Sequence, residues 1–239
     1  MRFDVITLFP ELFEPFLASG VTRRAYATGQ VQVRLWSLRD HAEGNYRRVD
    51  DRPFGGGPGM VMMAEPLARC LAAIRADRAE AQAAPLVLFS PIGRRLDHAA
   101  VQDWSAGAGA VLLCGRYEGV DQRFIDAHVD MQISLGDFVL SGGEIAAMAL
   151  LDSVARLQPG VLHDEGSHQL DSFNPALDGL LDCHKLRELT RTKEADDLLS
   201  KLKLYMKPDT NPLGLSIAAI AAGGKVLLSL LLVLWTVFP

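Results

Sequence analysis

Short apolar runs alternate with amphipathic stretches along the first two thirds of the chain. Five runs have the length and composition of β-strands, residues 2–9, 31–38, 85–89, 110–113 and 129–134. Helical spacing or composition predicts helices from Pro10 to near Gly20, over 66–82, from about Asp97, near 120–128 and over 143–157. Strands that alternate with helices predict an α/β fold, a parallel sheet with helices on both faces.

Three of these strands are each followed by a glycine-containing turn. The turns are Ser90-Pro-Ile-Gly93, Cys114-Gly-Arg-Tyr-Glu-Gly119 and the longer Leu135-Gly-Asp-Phe-Val-Leu-Ser-Gly-Gly-Glu144. Glycine lets the backbone bend sharply and approach a bound molecule without an intervening Cβ. Because parallel strands end at one edge of a sheet, the turns predict a pocket of main-chain groups suited to a nucleoside-like ligand.

A fourth glycine cluster, Gly55-Gly-Gly-Pro-Gly59, lies in the polar segment 40–62, which we predict to be a loop. It lacks the G-x-G-x-x-G spacing and the G-K-[ST] ending of the phosphate-binding fingerprints, and no strand precedes it. This disfavours a nucleotide-dependent oxidoreductase.

Composition predicts a cytoplasmic protein without a metal centre. Acidic residues at positions 4, 11 and 14 interrupt the apolar N-terminal stretch, which argues against a secretory signal. Cys70, Cys114 and Cys183 are too widely spaced for a zinc site or a disulfide framework and suit a reducing compartment. The histidines form no helical ligand pair, so we expect no bound zinc.

The charge pattern changes near residue 183. Residues 1–183 contain 16 Arg and no Lys, whereas all six Lys lie in the last 56 positions. We therefore predict a main domain over 1–162, a linker over 163–183 and an atypical, mostly helical segment over 184–239. A frameshift, a fusion and an unusual replacement are alternative origins of that segment.

The last apolar stretch, Leu213–Phe238, allows two interpretations. Gly223-Gly-Lys225 interrupts it, and the run that follows has only 13 residues, whereas a membrane span needs about 20. A lysine near the middle of a span costs about 2.5–3.5 kcal/mol. A membrane tether and a buried or artefactual tail both remain open.

Four long motifs, in order, resemble the bacterial tRNA (guanine-N1)-methyltransferase (TrmD) family. They are Arg52-Pro-Phe-Gly-Gly-Gly-Pro-Gly-Met60, Ser90-Pro-Ile-Gly-Arg-Arg-Leu-Asp97, Cys114-Gly-Arg-Tyr-Glu-Gly-Val-Asp121 and Gly136-Asp-Phe-Val-Leu-Ser-Gly-Gly-Glu144. The resemblance extends from Phe3 to Cys183. It implies methylation of N1 of the guanosine next to the anticodon on its 3′ side.

The same resemblance implies a deep trefoil knot near the glycine turns, which no periodicity would reveal. It also implies a homodimer that acts on tRNA, with S-adenosylmethionine bound in the knot and guanine entering between subunits. Magnesium is an accessory that the family suggests, although the sequence shows no metal cluster.

The family's binding residues can be transferred to matching positions. The cofactor set is Phe89, Ser90, Pro91, Gly93, Gly115, Tyr117, Glu118, Leu135, Gly136, Phe138, Leu140, Gly142 and Gly143. The guanosine set is Asp50, Arg52, Gly57 and Gly59. Phe138 stands where the family often has Tyr, so one hydroxyl contact is expected to be missing.

Asp171 and Arg156 match the family's catalytic pair. Guanine N1 carries a proton at neutral pH, so a carboxylate within reach must act as general base while N1 attacks the methyl group. Negative charge then develops on O6, where an arginine stabilises it. Because Asp171 lies in the linker, we expect it to be ordered by tRNA and to act across the dimer.

After Cys183 the chain departs from the family pattern, which normally continues into a tRNA-gripping helical domain. Nucleic-acid affinity comes largely from phosphate contacts, and residues 1–183 are acidic overall. The alternative hypothesis is therefore a catalytically impaired cofactor- or RNA-binding relative. We expect cofactor binding to survive better than tRNA methylation.

Overall fold

A five-stranded parallel sheet forms the centre of the computed structural model, which describes residues 1–79 and 84–163. In chain order the elements are β1 (Arg2–Thr7), α1 (Phe13–Ala18), α2 (Arg23–Ala27), β2 (Gln32–Ser37), β3 (Asp50–Asp51), β4 (Val61–Met62), α3 (Ala64–Arg78), β5 (Leu86–Arg95), α4 (His98–Ala106), β6 (Gly109–Leu113), α5 (Gln122–His128), β7 (Met131–Ser134) and α6 (Glu144–Arg156). The strand order is β2-β1-β6-β5-β7, and every pairing within this sheet is parallel. The predicted α/β class is confirmed.

Alternating side chains on the strands supply two separate cores. In β6, Ala110 and Leu112 pack in the core formed with α1, α2, α4 and α6. Val111 and Leu113 point to the opposite core, which α3 and α5 cover. Burial on both faces explains why the strands are nearly continuous apolar runs. Helices cover both faces, as the pattern predicts.

Some boundaries and small elements differ from the expectation. The structure adds the five-residue helix α2, and the predicted loop 40–62 contains the short antiparallel pair β3–β4. Strand β5 continues to Arg95, but Phe89 and Arg94 both face Ile133 of β7, so residues 90–93 bulge out of the ladder. The predicted turn is therefore a bulge within a longer strand.

Several expectations concern residues outside the described part of the chain. The linker beyond His163 and the mostly helical segment predicted over 184–239, with its apolar stretch Leu213–Phe238, fall there. Within 1–79 and 84–163, no helix has the length and hydrophobicity needed to cross a bilayer.

Candidate functional site

A cavity of about 480 Å³ opens beside the bulge of β5 and the ends of β6 and β7. These strands are neighbours in the sheet, so the segments after β6 and β7 and the bulge of β5 surround one space. The volume lies within the range of small-molecule sites, and the position is the usual one for ligands of open α/β sheets. The three predicted turns thus meet in space.

Most of the predicted cofactor residues line this cavity. They are Phe89, Ser90, Pro91, Gly115, Tyr117, Glu118, Leu135, Phe138, Leu140, Gly142 and Gly143. Gly93 and Gly136 lie just behind the wall. A Cβ on Gly93 would approach the backbone of Gln132 to 2.5 Å, and one on Gly136 would approach the Phe138 ring to 2.7 Å.

Direct backbone contact joins the two long turns. The Gly143 amide donates a hydrogen bond of 2.9 Å to the Gly115 carbonyl. A Cβ on Gly143 would come within 2.8 Å of the Cys114 Cα and 3.0 Å of the Gly115 nitrogen. Since real Cβ atoms do not approach backbone so closely, the cavity wall requires glycine at position 143.

A partly buried ion pair joins three elements beside the cavity. The Arg116 Nε donates to the Glu144 Oε2 at 2.9 Å, and the Thr7 hydroxyl donates to Oε1 at 2.9 Å. Glu144 is 1% exposed, whereas Arg116 lines the cavity. The pair connects the end of β1, the turn after β6 and the start of α6.

Arg116 has two further contacts that fix its side chain. Its Nη1 donates to the Ser141 carbonyl at 3.2 Å, and its guanidinium carbon lies 4.6 Å from the centroid of the Phe9 ring. A Cβ on Gly142 would lie 2.1 Å from the Arg116 Nε, so the glycine makes room for the guanidinium. Arg116 is therefore held in one position against the turn over 135–143.

The segment that ends in β4 lies against the turn over 114–119. The Glu118 amide donates to the Met60 carbonyl at 3.0 Å, and the Met62 amide donates to the Gly119 carbonyl at 2.9 Å. Tyr117 adopts a left-handed backbone conformation, φ 60°, a strained choice for a non-glycine residue. Burial raises the pKa of Tyr117, and the nearby Asp50 carboxylate raises it further.

The four predicted guanosine residues do not line the cavity. Asp50 faces Met62 across the β3–β4 pair, and a Cβ on Gly59 would meet the Glu118 side chain at 2.4 Å. Arg52 and Gly57 lie in the connection between the two strands. The segment that carries all four is thus attached to the cavity through 60–62 and the turn over 114–119.

The structure describes one member of the predicted catalytic pair, Arg156. Arg156 is the last residue of α6, ten positions beyond Ala146, which lines the cavity. At 1.5 Å per residue, this places its backbone about 15 Å further along the helix. Asp171 lies outside the described residues.

Cys114 and Cys70 are buried in the two cores and are poor nucleophiles. Burial raises the pKa of Cys114 well above its usual value, and the nearby Glu144 carboxylate raises it further. Burial likewise raises the pKa of Cys70 to about 12.

Across 1–79 and 84–163, no group of three or more His, Cys, Asp or Glu side chains could hold a metal ion.

Arg116 and Glu144 were not among the site residues predicted from the sequence. Both belong to the quoted motifs, but nothing in their spacing shows that residues 28 positions apart form a buried pair. The signal that was available is Glu144 itself, a charged residue at the head of an apolar helix after two glycines.

The fold and the cavity define an α/β protein with a cavity beside the bulge of β5 and the segments that follow β6 and β7. A profile of the family described as tRNA (Guanine-1)-methyltransferase TrmD matches residues 1–200. The chain belongs to this enzyme family, as the motifs predict. The match continues past Cys183, where the motif resemblance was expected to end.

Individual relatives agree with the family assignment. The chain is 84% identical to the tRNA (guanine-N(1)-)-methyltransferase of Paracidovorax citrulli over 185 residues, 77% of this chain and 72% of the relative. It is 79% identical to the enzyme of the same name from Polaromonas sp. over 77% of this chain and 71% of the relative. The crystal structure of tRNA (m1G37) methyltransferase from Aquifex aeolicus is similar with a TM-score of 0.62 at 35% identity, covering 90% of this chain and 97% of that one.

Proposed function

We propose that the protein transfers a methyl group from S-adenosylmethionine to N1 of guanine in tRNA, at the position next to the anticodon on its 3′ side. The observation that carries the proposal is the cavity beside the bulge of β5 and the ends of β6 and β7, which three of the family-like motifs line. The names of the relatives support the reaction and the tRNA substrate.

The donor fits the chemistry of the cavity. Its apolar walls, such as Leu135 and Leu140, and its glycine-rich backbone suit an adenosine group that hydrogen-bonds to main-chain atoms. Glu118 lines the same cavity and forms no ion pair with a described residue, so its carboxylate is available to attract a positive charge. When bound, the donor supplies an electrophilic methyl carbon, and the C–S electron pair stays on sulfur as a neutral thioether.

In this proposal Asp171 accepts the N1 proton, which makes the N1 lone pair nucleophilic. Arg156 stabilises the negative charge that develops on O6. Arg156 lies about 15 Å along α6 from the nearest cavity residue of that helix. The separation supports a homodimer in which Arg156 and Asp171 complete a site with the cavity of the partner subunit.

The proposal also includes the knot, the domain bounds, the guanosine contacts and the compartment of the protein. The chain would be knotted at the glycine turns, with 1–162 as the catalytic domain, 163–183 as the linker and 184–239 as a separate segment. Asp50, Arg52, Gly57 and Gly59 would contact the guanosine, and the protein would act in the cytoplasm, where tRNA is found. Magnesium would be an accessory, as the family suggests, and would be held largely by water and substrate oxygens.

Methyl transfer with Asp171→Ala tests the proposal. Wild-type protein and radiolabelled donor should methylate a tRNA transcript with guanine next to the anticodon, giving 1-methylguanosine on nucleoside mass spectrometry. A transcript with adenine there should stay unlabelled. Loss of the base should lower kcat by about 10²–10⁴-fold and leave the donor Kd unchanged in calorimetry.

Asp178→Ala is the matched control, since Asp178 lies in the same segment and has no assigned role. It should methylate like the wild type. Wild-type turnover that survives in Asp171→Ala, or methylation at an atom other than N1, would overturn the assignment. Donor binding without any turnover of the wild type would favour a binding protein instead.

A further inference from the structure

The ion pair of Arg116 and Glu144 places a positive charge beside the cavity, and the proposed reaction gives this charge no role. Arg116 lines the cavity, and its guanidinium lies against Ser141 and Gly142, which line it too. The sulfonium of S-adenosylmethionine is also a cation, and two cations repel when little water separates them. A cavity with an uncompensated arginine would favour the neutral thioether product over the donor.

Glu144 lies where it can remove that penalty. Its carboxylate is 1% exposed and accepts one hydrogen bond from the Arg116 Nε and one from the Thr7 hydroxyl, both at 2.9 Å. A buried carboxylate at this distance cancels most of the charge of the guanidinium as seen from the cavity. Among the described residues that line the cavity, Glu118 then remains as the charged side chain without an ion-pair partner.

Glu144 also determines where Arg116 lies. The guanidinium bonds Glu144 on one side and the Ser141 carbonyl, at 3.2 Å, on another, while its face lies over Phe9. An arginine can satisfy these partners together because its donors form a rigid planar fork. The carboxylate therefore acts on the cavity through Arg116 and does not itself line it.

We propose that Glu144 is a positioning residue that holds Arg116 in the cavity wall, cancels its charge and so lets the site accept a sulfonium donor. The inference rests on the proposed donor, but it concerns discrimination between two ligands and not turnover. It predicts that changes of charge at 116 or 144 alter the ratio of affinities for S-adenosylmethionine and S-adenosylhomocysteine. The second ligand is the neutral thioether that lacks the methyl group.

Calorimetry with both ligands on the full-length protein measures this ratio. Glu144→Gln keeps the shape of the side chain and can still accept from Arg116, but it leaves the guanidinium uncompensated. It should weaken the sulfonium ligand about three- to tenfold more than the thioether. Arg116→Gln should shift the ratio in the opposite direction, because the carboxylate then acts alone.

The double variant Arg116→Gln/Glu144→Gln should return the ratio to the wild-type value, whatever happens to the absolute affinities. Thr7→Val is the matched control, because it removes a hydrogen bond of Glu144 without changing either charge. Its ratio should equal that of the wild type. Thermal melts identify a variant that fails to fold, and the remaining variants still fix the sign of the effect.

Equal weakening of both ligands in Glu144→Gln, or shifts of the same sign in both single variants, would overturn the inference and leave a purely structural ion pair. A wild type that binds neither ligand would instead contradict the proposed function. The two failures are thus distinguishable in one set of titrations.

Discussion

The amide of Gly143 donates a hydrogen bond of 2.9 Å to the carbonyl of Gly115, and this contact joins the two long turns of the cavity. A Cβ on residue 143 would lie 2.8 Å from its nearest atom, the Cys114 Cα. Gly143→Ala should therefore push the turns apart, because the clash is with backbone and no side chain can move away. We expect donor affinity, measured by calorimetry, to fall at least about tenfold, because a binding site tolerates only shifts well below 1 Å.

Gly107→Ala is the control for this substitution. Gly107 ends α4, and a Cβ there would meet its nearest atom, the Trp104 carbonyl oxygen, at an ordinary 3.4 Å. Donor affinity should stay at the wild-type value, with unfolding free energy changed by about 0.5 kcal/mol or less. Unchanged affinity in Gly143→Ala would mean that the two turns do not act together in binding.

Arg156 should affect turnover without affecting donor binding. It ends α6, about 15 Å along the helix from Ala146, the last cavity residue of α6. Arg156→Ala should lower kcat about 10²–10³-fold if it stabilises charge on O6, with the donor Kd unchanged within about twofold. Single-turnover methyl transfer and calorimetry on the same preparation separate the two effects.

Arg75→Ala provides the comparison for that variant. Arg75 is an exposed arginine on α3 with no role in the cavity. Its kcat should match the wild type. A donor Kd that rises in Arg156→Ala as much as kcat falls would place Arg156 in cofactor binding and contradict its assigned role.

The sequence was sufficient to predict the elements whose local pattern agrees with their final environment. Strand β6 is apolar at every position, and both of its faces are buried. Asp97 caps the start of α4, because its carboxylate accepts a hydrogen bond from the Ala100 amide at 2.8 Å. Helix α2 was not predicted, because five residues without a side-chain cap are too few to show the apolar periodicity of a helix.

The cavity was predictable in outline and not in detail. Strand-end turns meet because parallel strands share an edge, so Gly115 and Gly143 could be grouped from their positions after strands. The pairing of Glu144 with Arg116 and Thr7 joins residues up to 137 positions apart, and it depends on tertiary packing that no local rule encodes. Asp171 and Arg156 were assigned only through the family.

Asp4 should be a main determinant of stability at the start of the sheet. It is fully buried in β1 and accepts from Trp36 Nε1 at 2.8 Å, Arg2 Nη2 at 2.8 Å and Arg78 Nη1 at 2.5 Å. Asp4→Asn removes the buried anion while Arg78, 3% exposed, keeps its charge. The free energy of unfolding should fall by about 3–5 kcal/mol, measured by urea titration with Trp fluorescence.

Asp40→Asn tests whether burial causes that loss. Asp40 pairs with Arg47 at 2.9 Å, but both side chains are 62% exposed. Solvent screens such a pair, so the unfolding free energy should change by less than about 1 kcal/mol. Equal losses in Asp4→Asn and Asp40→Asn would refute the argument from burial.

Asp121 should make a pH-dependent contribution to stability at the start of α5. Its carboxylate accepts from the Arg123 amide at 2.9 Å and pairs with the Arg123 guanidinium at 2.6 Å. The hydrogen bond from the Arg123 side chain lowers the pKa of Asp121 below its usual value. A carboxylate with a lowered pKa in the folded state stabilises the protein above its unfolded pKa, about 3.9, and loses this effect as pH falls through the folded value.

Asp121→Ala should therefore lower the unfolding free energy by about 1 kcal/mol at pH 7, mainly through loss of the helix cap. Asp121→Asn keeps an acceptor for the Arg123 amide and should recover most of that loss. Urea titrations between pH 7 and the lowest pH with a cooperative transition should show the gap between wild type and Asp121→Asn narrowing below about pH 4. Because Arg123 is 78% exposed, that gap is small. A gap that widens on acidification would reverse the sign and show that the ion pair does not favour the charged carboxylate.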